Sequence, residues 1–595
     1  MSVVQKIKEA TAKGINHLYG VSLLPNEVLV NATKPEFEGD YTVVLFAFVK
    51  QLKKSPDTLG QELGDFLVSS FPDYFDSYNL IKGFLNLVIT DGYWLEFVAT
   101  NYHNDDFGQT PANGQRVMVE YSSPNTNKPL HLGHLRNNFL GRSIAEILRI
   151  NGNEVIKTCI VNDRGIHICK SMIAWQLFGN GTTPESTHTK GDHFVGNFYV
   201  QFNDEYKKQI EALKAKGIPE EIAEKEAPIM KATQQMLLDW ESGNPEIMHL
   251  WRTMNSWVYE GFDTTYKRIG SDFDKTYYES NTYLLGKDLV EKGLEKGVFY
   301  QKEDGSVWID LTADGLDEKL VRRKDGTSVY ITQDIGLAEQ KQKEFNAGQS
   351  IYVVGDEQNY HFKVLKLICQ KLGLPSADGI YHLSYGMVEL PSGKMKSREG
   401  TVVDADDLVT EMVNIARQKT EELGKVKDFT EEELLQLYDI IGLGALKFFL
   451  LRVDPKKKMV FNPEESIDFH GFTGPFIQYT HARIKSILRK SLTQLPPLEN
   501  LSPNSLLLPL EKTLSIHLEM FPSVLQDAAI EHDPSKVAIY VFNLAKTFNS
   551  FYTEHSISNA ETDEKKILRL QLAQITAKVI KTGMGVLGIQ VPERM

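Results

Sequence analysis

Residues 117–161 constrain the fold more than any other stretch of the chain. Val117-Met118-Val119-Glu120-Tyr121-Ser122-Ser123 is β-rich and predicts a buried strand. Beyond Lys128-Pro129-Leu130-His131-Leu132-Gly133-His134, the apolar residues Leu135, Phe139, Leu140, Ile144, Ile147 and Leu148 recur at three- and four-residue spacing, the pattern of a helix buried along one face. Glu154 to Val161 predicts a second strand, running into Asn162-Asp163-Arg164-Gly165. Strand, helix, strand at this spacing is a βαβ unit, which implies a parallel sheet with ligands at the carboxyl ends of its strands. Residues 128–134 then form a strand-to-helix turn, where free backbone N–H groups and the positive helix end favour a phosphate. Lys128, His131 and His134 add donors, and Gly133 removes a side chain where a flat ring or phosphate would approach. An isolated H-x-x-H is more often a pair of surface or capping histidines, so the motif gains meaning only from the rest of the chain.

At 595 residues the chain has room for several domains, and its 42% hydrophobic and 24% charged content is that of an ordinary soluble globular protein. Its first ten residues carry charges and no long apolar run, so no secretory signal is expected. No stretch reads as membrane-spanning; Phe448 to Leu451 is closed at once by Arg452. Cys159, Cys169 and Cys369 form no CxxC pair, which points away from a zinc site or disulfide framework and toward a reducing cytoplasm. The formal net charge of −14 argues against indiscriminate nucleic-acid binding but leaves room for local basic patches.

Residues 1–105 read as a separate α/β unit with Gly83 to Thr90 as a strand, and Asn101 to Gly114 as a linker. Residues 113–405 form the expected α/β domain, interrupted at about 182–277 by a mostly helical insertion whose charges read as a solvated face. The sheet is expected to resume at Val307 to Leu311 and continue at Ile351 to Gly355, with Thr332 capping a helix that carries Asp334 in its first turn. Gly393 to Gly400 brackets Lys394, Lys396 and Arg398, which suits a lid on a polyphosphate, although such a run alone is usually a charged surface loop. From residue 406 onward helical periodicity dominates: a connector over 406–465, then a helical unit over 466–595 with aromatics beside Lys and Arg, as stacking on unpaired bases requires.

Taken together, HLGH opening the first βαβ unit, Lys394 to Arg398 late in the sheet, and a helical C-terminal unit resemble a class I aminoacyl-tRNA synthetase, with these segments standing for its HIGH and KMSKS motifs. The chain is most similar to the arginyl-tRNA synthetase family over essentially its whole length. Glu120 to Asn125, Lys128 to Arg136, Tyr330 to Asp334 and Thr473 to Arg483 carry the likeness, with Val591 to Met595 in support. The resemblance implies a Rossmann-type catalytic domain, an N-terminal α/β domain that grips tRNA, and an all-α anticodon-binding bundle. It implies an arginine–tRNA ligase that forms arginyl-adenylate from L-arginine and ATP with substrate-borne Mg²⁺, and transfers arginine to the 3′-terminal adenosine of tRNA(Arg). Neither protein-bound zinc nor a membrane is implied, and a cytoplasmic monomer is expected.

The resemblance also implies roles. Lys128, His131, His134, Lys394, Lys396 and Arg398 would serve the chemistry; His131, Gly133, His134, His361, Met387, Lys394 and Ser397 would hold ATP. Glu120, Ser122, Asn125, Tyr330, Asp334 and Gln358 would hold arginine, because a guanidinium pairs best with carboxylates. Gln478, Tyr479, Arg483, Lys485 and Asn549 would face tRNA. Ser397 stands where the class has the second lysine of KMSKS; Lys128, just before HLGH, is the favoured substitute and Lys396 the competitor. Arg164, Gln333 and Phe472 depart from residues common in the family. Two rivals stand beside this reading. A different HIGH-type nucleotidyltransferase or synthetase is disfavoured by the long helical C-terminus and the missing cysteine ligands. A non-catalytic tRNA-binding relative is disfavoured by the intact histidines and basic loop.

Overall fold

The computed structural model describes residues 2–34, 36–375, 377–391, 403–424, 428–491 and 506–595. Near the N-terminus, helices Val3–Tyr19 and Pro56–Ser70 pack on a four-stranded antiparallel sheet whose spatial order is Val30–Ala32, Tyr41–Val44, Phe84–Ile89, Phe75–Ile81. The unit has its own core, with Ile7, Ile15, Leu59, Leu63, Leu85 and Trp94 closed to solvent. The expected linker is strapped down rather than loose. Helix Asp91–Asn101 takes its first residue, and Thr110 and Asn113 donate to the carbonyls of Ile150 and Gly152.

The central sheet has five parallel strands in the order Ile380–Tyr385, Gln349–Gly355, Arg116–Glu120, Glu154–Val161, Lys275–Tyr278. Helix Leu132–Ile150 crosses between the two central strands and buries Leu135, Phe139, Leu140, Ile144 and Ile147, the stripe read from the sequence. The first strand ends at Glu120 rather than Ser123, because Ser122 and Ser123 adopt left-handed conformations, φ +78° and +47°, that no strand tolerates. The insertion is helical over Pro184–Thr187, Gly191–Lys214, Glu220–Glu226, Pro228–Glu241 and Pro245–Ile269; strand Lys275–Tyr278 cuts into its expected end.

Val307–Ile309 does not extend the central sheet. It forms a small antiparallel sheet with Tyr300–Gln301 and Lys319–Arg322, since Asp304 accepts from the backbone N–H of Ser306 and turns the chain straight back. Helix Tyr330–Phe345 begins after Val329, so Thr332 lies inside it and donates its hydroxyl to the Val321 carbonyl, and Asp334 falls in the second turn. The expectation of a Thr332 cap is therefore corrected.

Helices Ala405–Leu423 and Glu431–Leu451 connect to the C-terminal bundle of Gly474–Ser491, Pro509–Glu519, Phe521–Glu531, Ser535–Glu554 and Asp563–Val586. Helix Glu431–Leu451, which contains the Phe448–Leu451 run, is by length and composition alone apolar enough to cross a membrane. Two-thirds of its apolar window is buried against protein, as in a core helix.

Candidate active site

The turn after the first strand is held by an unusual set of side chains. Two consecutive left-handed serines are strained, at about 1–3 kcal/mol each, and persist only where neighbours over-determine them. Here Asn137 accepts from the Ser122 N–H at 2.5 Å, the Ser122 hydroxyl meets the Tyr266 hydroxyl at 2.7 Å, and Asn138 donates to it at 3.1 Å. Ser122 is buried by these contacts and does not face the cavity described below, unlike the role expected for it. Its work is to hold the bend that presents Asn125 to Lys128. Past it, Thr126 donates to the Asn162 carbonyl and Asn162 to that of Pro124, joining the turn to the end of the second strand.

Within HLGH every backbone donor is already engaged. His131 N–H goes to His134 Nδ1 at 3.2 Å, Gly133 N–H to His131 Nδ1 at 3.1 Å, and Leu132 N–H to the Val403 carbonyl at 3.1 Å. His134 and Leu135 both donate to the His131 carbonyl. The free amides expected for a phosphate are thus occupied, a correction to the sequence reading. Because both Nδ1 atoms accept, each neutral imidazole carries its proton on Nε2. Burial, reinforced by Lys128, lowers His131 to a pKa of about 4, and burial, then His131 and Lys128, holds His134 well below the usual histidine value. Both rings are neutral at pH 7, which leaves each with an Nε2–H group to donate. A Cβ on Gly133 would stand 3.0 Å from the His131 ring, so this glycine first of all makes room for that histidine.

A cavity of about 1400 Å³ opens at the carboxyl ends of the central strands. Asn125, Lys128, Tyr330, Asp334, Gln358 and His361 line it together, with Asn162, Arg164 and Gln333. Tyr330 is 74% exposed, and Gln358 is exposed too. Asp334 Oδ2 lies 2.6 Å from His361 Nε2, so the histidine expected near adenosine is engaged by the carboxylate expected to take arginine. Arg164 pairs with Glu241 at 3.1 Å and stacks on Tyr283 with its guanidinium carbon 4.0 Å from the ring centre. Gln333 takes its place in the wall.

Glu120 is not in that wall. It is 6% exposed, 2.5 Å from the equally buried Lys341 ammonium, and accepts from Thr158 at 3.3 Å. Lys341, placed by helix Tyr330–Phe345, had no signal in sequence beyond its helical position. Arg136 was likewise missed as a structural device. Fully buried, it donates to the carbonyls of Gly386 (2.7 Å), Met387 (3.4 Å), Pro455 (3.2 Å) and Lys457 (2.9 Å), which fixes the segment carrying the exposed Met387. Asp163, also missed, accepts from Tyr259, Ser280 N and the Ser280 hydroxyl at 2.7–2.8 Å and holds the second strand's exit. Lys394, Lys396, Ser397 and Arg398 lie outside the described residues.

These features have counterparts in known proteins. Residues 99–462 match the family described as tRNA synthetases class I (R), catalytic domain, and residues 477–595 match the DALR anticodon binding domain. Arginine–tRNA ligases of Parabacteroides distasonis and Flavobacterium psychrophilum are each 52% identical, with both chains covered in full. The chain belongs to the arginyl-tRNA synthetase family. The solved arginyl-tRNA synthetase of Thermus thermophilus superposes with a TM-score of 0.80 at 25% identity, covering 99% of this chain and all of that one. That of Plasmodium falciparum, at 19% identity and TM-score 0.77, shares the fold.

In the synthetase's C-terminal bundle, Arg483 donates to Asn549 at 2.8 Å and lies 4.9 Å from the Tyr479 ring, and Asn549 donates to Thr480. Tyr479, Arg483 and Asn549 thus share one partly exposed polar cluster. Lys485 pairs with Glu593 at 3.1 Å. Gln478 sits elsewhere: it is wholly buried and donates to the carbonyls of Ile440 and Gln590, so its side chain pins helices instead of meeting RNA. Phe472 packs edge-on against Phe448 and Phe542.

Proposed function

We propose that this arginine–tRNA ligase activates arginine and charges the tRNA terminus in the cavity at the carboxyl ends of its parallel strands. One observation carries the assignment: Lys128, Asn125, Tyr330, Asp334, Gln358 and His361, drawn from three separate stretches of chain, line a single cavity of about 1400 Å³. That exceeds the ~300–1000 Å³ usual for one small ligand and suits arginine, ATP and an entering terminal adenosine together.

Arginine's carboxylate attacks the α-phosphate in line and pyrophosphate leaves, so the site supplies position and charge. Aminoacyl-tRNA synthetases use ATP with Mg²⁺, and the ion belongs to the substrate. The two neutral imidazoles donate from Nε2 to phosphate oxygens, and Lys128 supplies the cation beside them. Asp334 faces the guanidinium, while the buried Glu120 and Lys341 support the pocket from below. The ribose hydroxyl of the tRNA terminus then attacks the adenylate carbonyl, releasing AMP. Tyr479, Arg483 and Asn549 meet the anticodon arm, and the N-terminal unit meets another part of the tRNA.

ATP–pyrophosphate exchange with each amino acid, run with and without tRNA, tests the assignment. Arginine-dependent exchange that requires tRNA is expected; exchange driven by another amino acid alone would overturn it. Lys128→Ala should slow single-turnover adenylate formation at least a hundredfold, about 3 kcal/mol of transition-state stabilisation, with arginine binding retained. An unchanged rate removes Lys128 from the mechanism.

A further inference from the structure

The HLGH turn has no backbone donors to spare, so its position must be held from outside. The chain segment Val403–Ala405 does this along one edge: Leu132 N–H donates to the Val403 carbonyl, and Ala405 N–H donates to that of Leu130 at 3.0 Å. His131 and Asp404 face each other across this short antiparallel bridge. What fixes the segment in turn is helix Gly191–Lys214 of the insertion. His193 Nε2 lies 3.1 Å from Asp404 Oδ2 and 3.4 Å from Asp406 Oδ2, and Lys190 reaches Asp406 at 2.7 Å and Asp192 at 3.0 Å. Thr265 of helix Pro245–Ile269 donates to Asp406 at 3.0 Å.

The same helix touches the turn directly. Gly196 lies under Pro129, so that a Cβ there would stand 2.8 Å from the proline ring and 3.6 Å from the Lys128 Cα. One turn further on, the Tyr199 hydroxyl meets His167 Nδ1 at 3.1 Å, and both residues line the cavity. Asp192, His193 and Asp406 are a group whose donor atoms lie within 4.8 Å of one another, as a metal site requires, but the Lys190 ammonium already binds both carboxylates. The other Asp192 oxygen faces Gly261, where a Cβ would lie 2.4 Å away. The cluster is an ion-paired clasp.

We propose that helix Gly191–Lys214 positions the phosphate turn of the synthetase, through Gly196 beneath Pro129 and through the His193–Asp404 contact. His193 and Gly196 are positioning residues; neither lines the cavity. The proposal rests on the reading that the turn holds ATP phosphates. Losing the clasp releases the segment that braces Leu130 to Leu132 and shifts the Asp404 charge facing His131. The effect should fall on ATP and spare arginine.

The test uses His193→Gln, Asp404→Asn, their double variant and Gly196→Ala in the full-length enzyme, with His134→Asn as a reporter on the turn. Asparagine caps a helix as well as aspartate does, so Asp404→Asn keeps the cap of Ala405–Leu423, which Asp404 makes to the N–H groups of Asp406 and Asp407, and removes only the charge. In tRNA-supported exchange, each single variant should raise the KM for ATP roughly fivefold to tenfold and leave the KM for arginine within twofold. The double variant should fall short of the two single effects combined, because both variants act on the His193–Asp404 contact. Additive effects, equal shifts in both KM values, or no shift overturn the bracket. If His134→Asn leaves ATP kinetics unchanged, the reading of the turn itself falls; if it impairs them while the other variants do not, only the bracket falls.

Discussion

Replacing Asp334 by Asn removes one negative charge from the cavity and leaves an amide of the same size. The carboxylate stands in the second turn of helix Tyr330–Phe345, 2.6 Å from His361 Nε2, with 39% of its side chain exposed. A guanidinium is a permanent cation with a planar fork of donors, and a hydrogen bond to a charged partner contributes about 1.5–3 kcal/mol. Partial exposure places Asp334 in the lower half of that range. Arginine affinity should therefore fall roughly 10- to 50-fold, since each 1.4 kcal/mol is a factor of ten. The asparagine oxygen still accepts from His361, so the ring keeps its place and ATP kinetics should hold. The assay is ATP–pyrophosphate exchange with tRNA present, titrating arginine at saturating ATP and then ATP at saturating arginine. His361→Asn is the companion variant: it frees the carboxylate, and arginine KM should change less than threefold, an estimate that follows from Asp334 keeping its charge. An arginine KM within twofold of the parent for Asp334→Asn, or an ATP KM rising in parallel, would refute the assignment of Asp334 to the guanidinium.

Acid should weaken the fold in a defined window. His131 and His532 are each lowered from 6.5 to about 4, chiefly by burial, so the unfolded chain binds their protons first and stability falls as pH drops from about 6.5 to 4. For His131 alone the loss reaches ~3 kcal/mol at the bottom of that window; urea midpoints by circular dichroism that stay level down to pH 4 would contradict it. Arg136→Lys replaces a fork on four carbonyls by a single nitrogen and should cost roughly 3 kcal/mol, seen as a lower thermal midpoint with a raised KM for ATP through Met387; a midpoint unchanged within a degree would contradict the clamp. Arg483→Ala should weaken tRNA binding and flatten the slope of log K against log salt by about 0.7–0.9, and a slope equal to the parent's would remove Arg483 from the RNA face.

The helix Leu132–Ile150 and the strands Arg116–Glu120, Glu154–Val161 and Gln349–Gly355 were legible because apolar spacing alone distinguishes a one-sided helix from a strand buried on both faces. Val307–Ile309 was not, because an apolar run of strand length is the same in a central sheet as in a small antiparallel one, and only the Asp304 turn decides between them. Of the site, residue types and motif order pointed to Lys128, Asn125, Tyr330, Asp334, Gln358 and His361, which do share a cavity. The burial of Ser122 and Gln478 and the engagement of Glu120 by Lys341 were illegible. Each depends on a partner 38 or more residues away, Tyr266 for Ser122, Ile440 for Gln478 and Lys341 for Glu120, and no local pattern encodes such a pairing.

The turn that organises the catalytic domain works differently from a glycine-rich phosphate loop. In such a loop the backbone N–H groups themselves meet the phosphate. Here those groups hold the two histidines, and under the proposed function recognition would pass outward to the imidazole Nε2–H groups and to Lys128. Charge would then come from Lys128, which lines the cavity just beyond the bend at Ser122 and Ser123. Such an arrangement is only as accurate as the placement of the turn, because a side-chain donor displaced by 1 Å loses its alignment where a backbone cradle would shift as a unit. Buried polar structure accordingly surrounds the turn: Asn138 donates to the His134 carbonyl, Asn137 holds the bend at Ser122, and the segment at Asp404 bonds to Leu130 and Leu132.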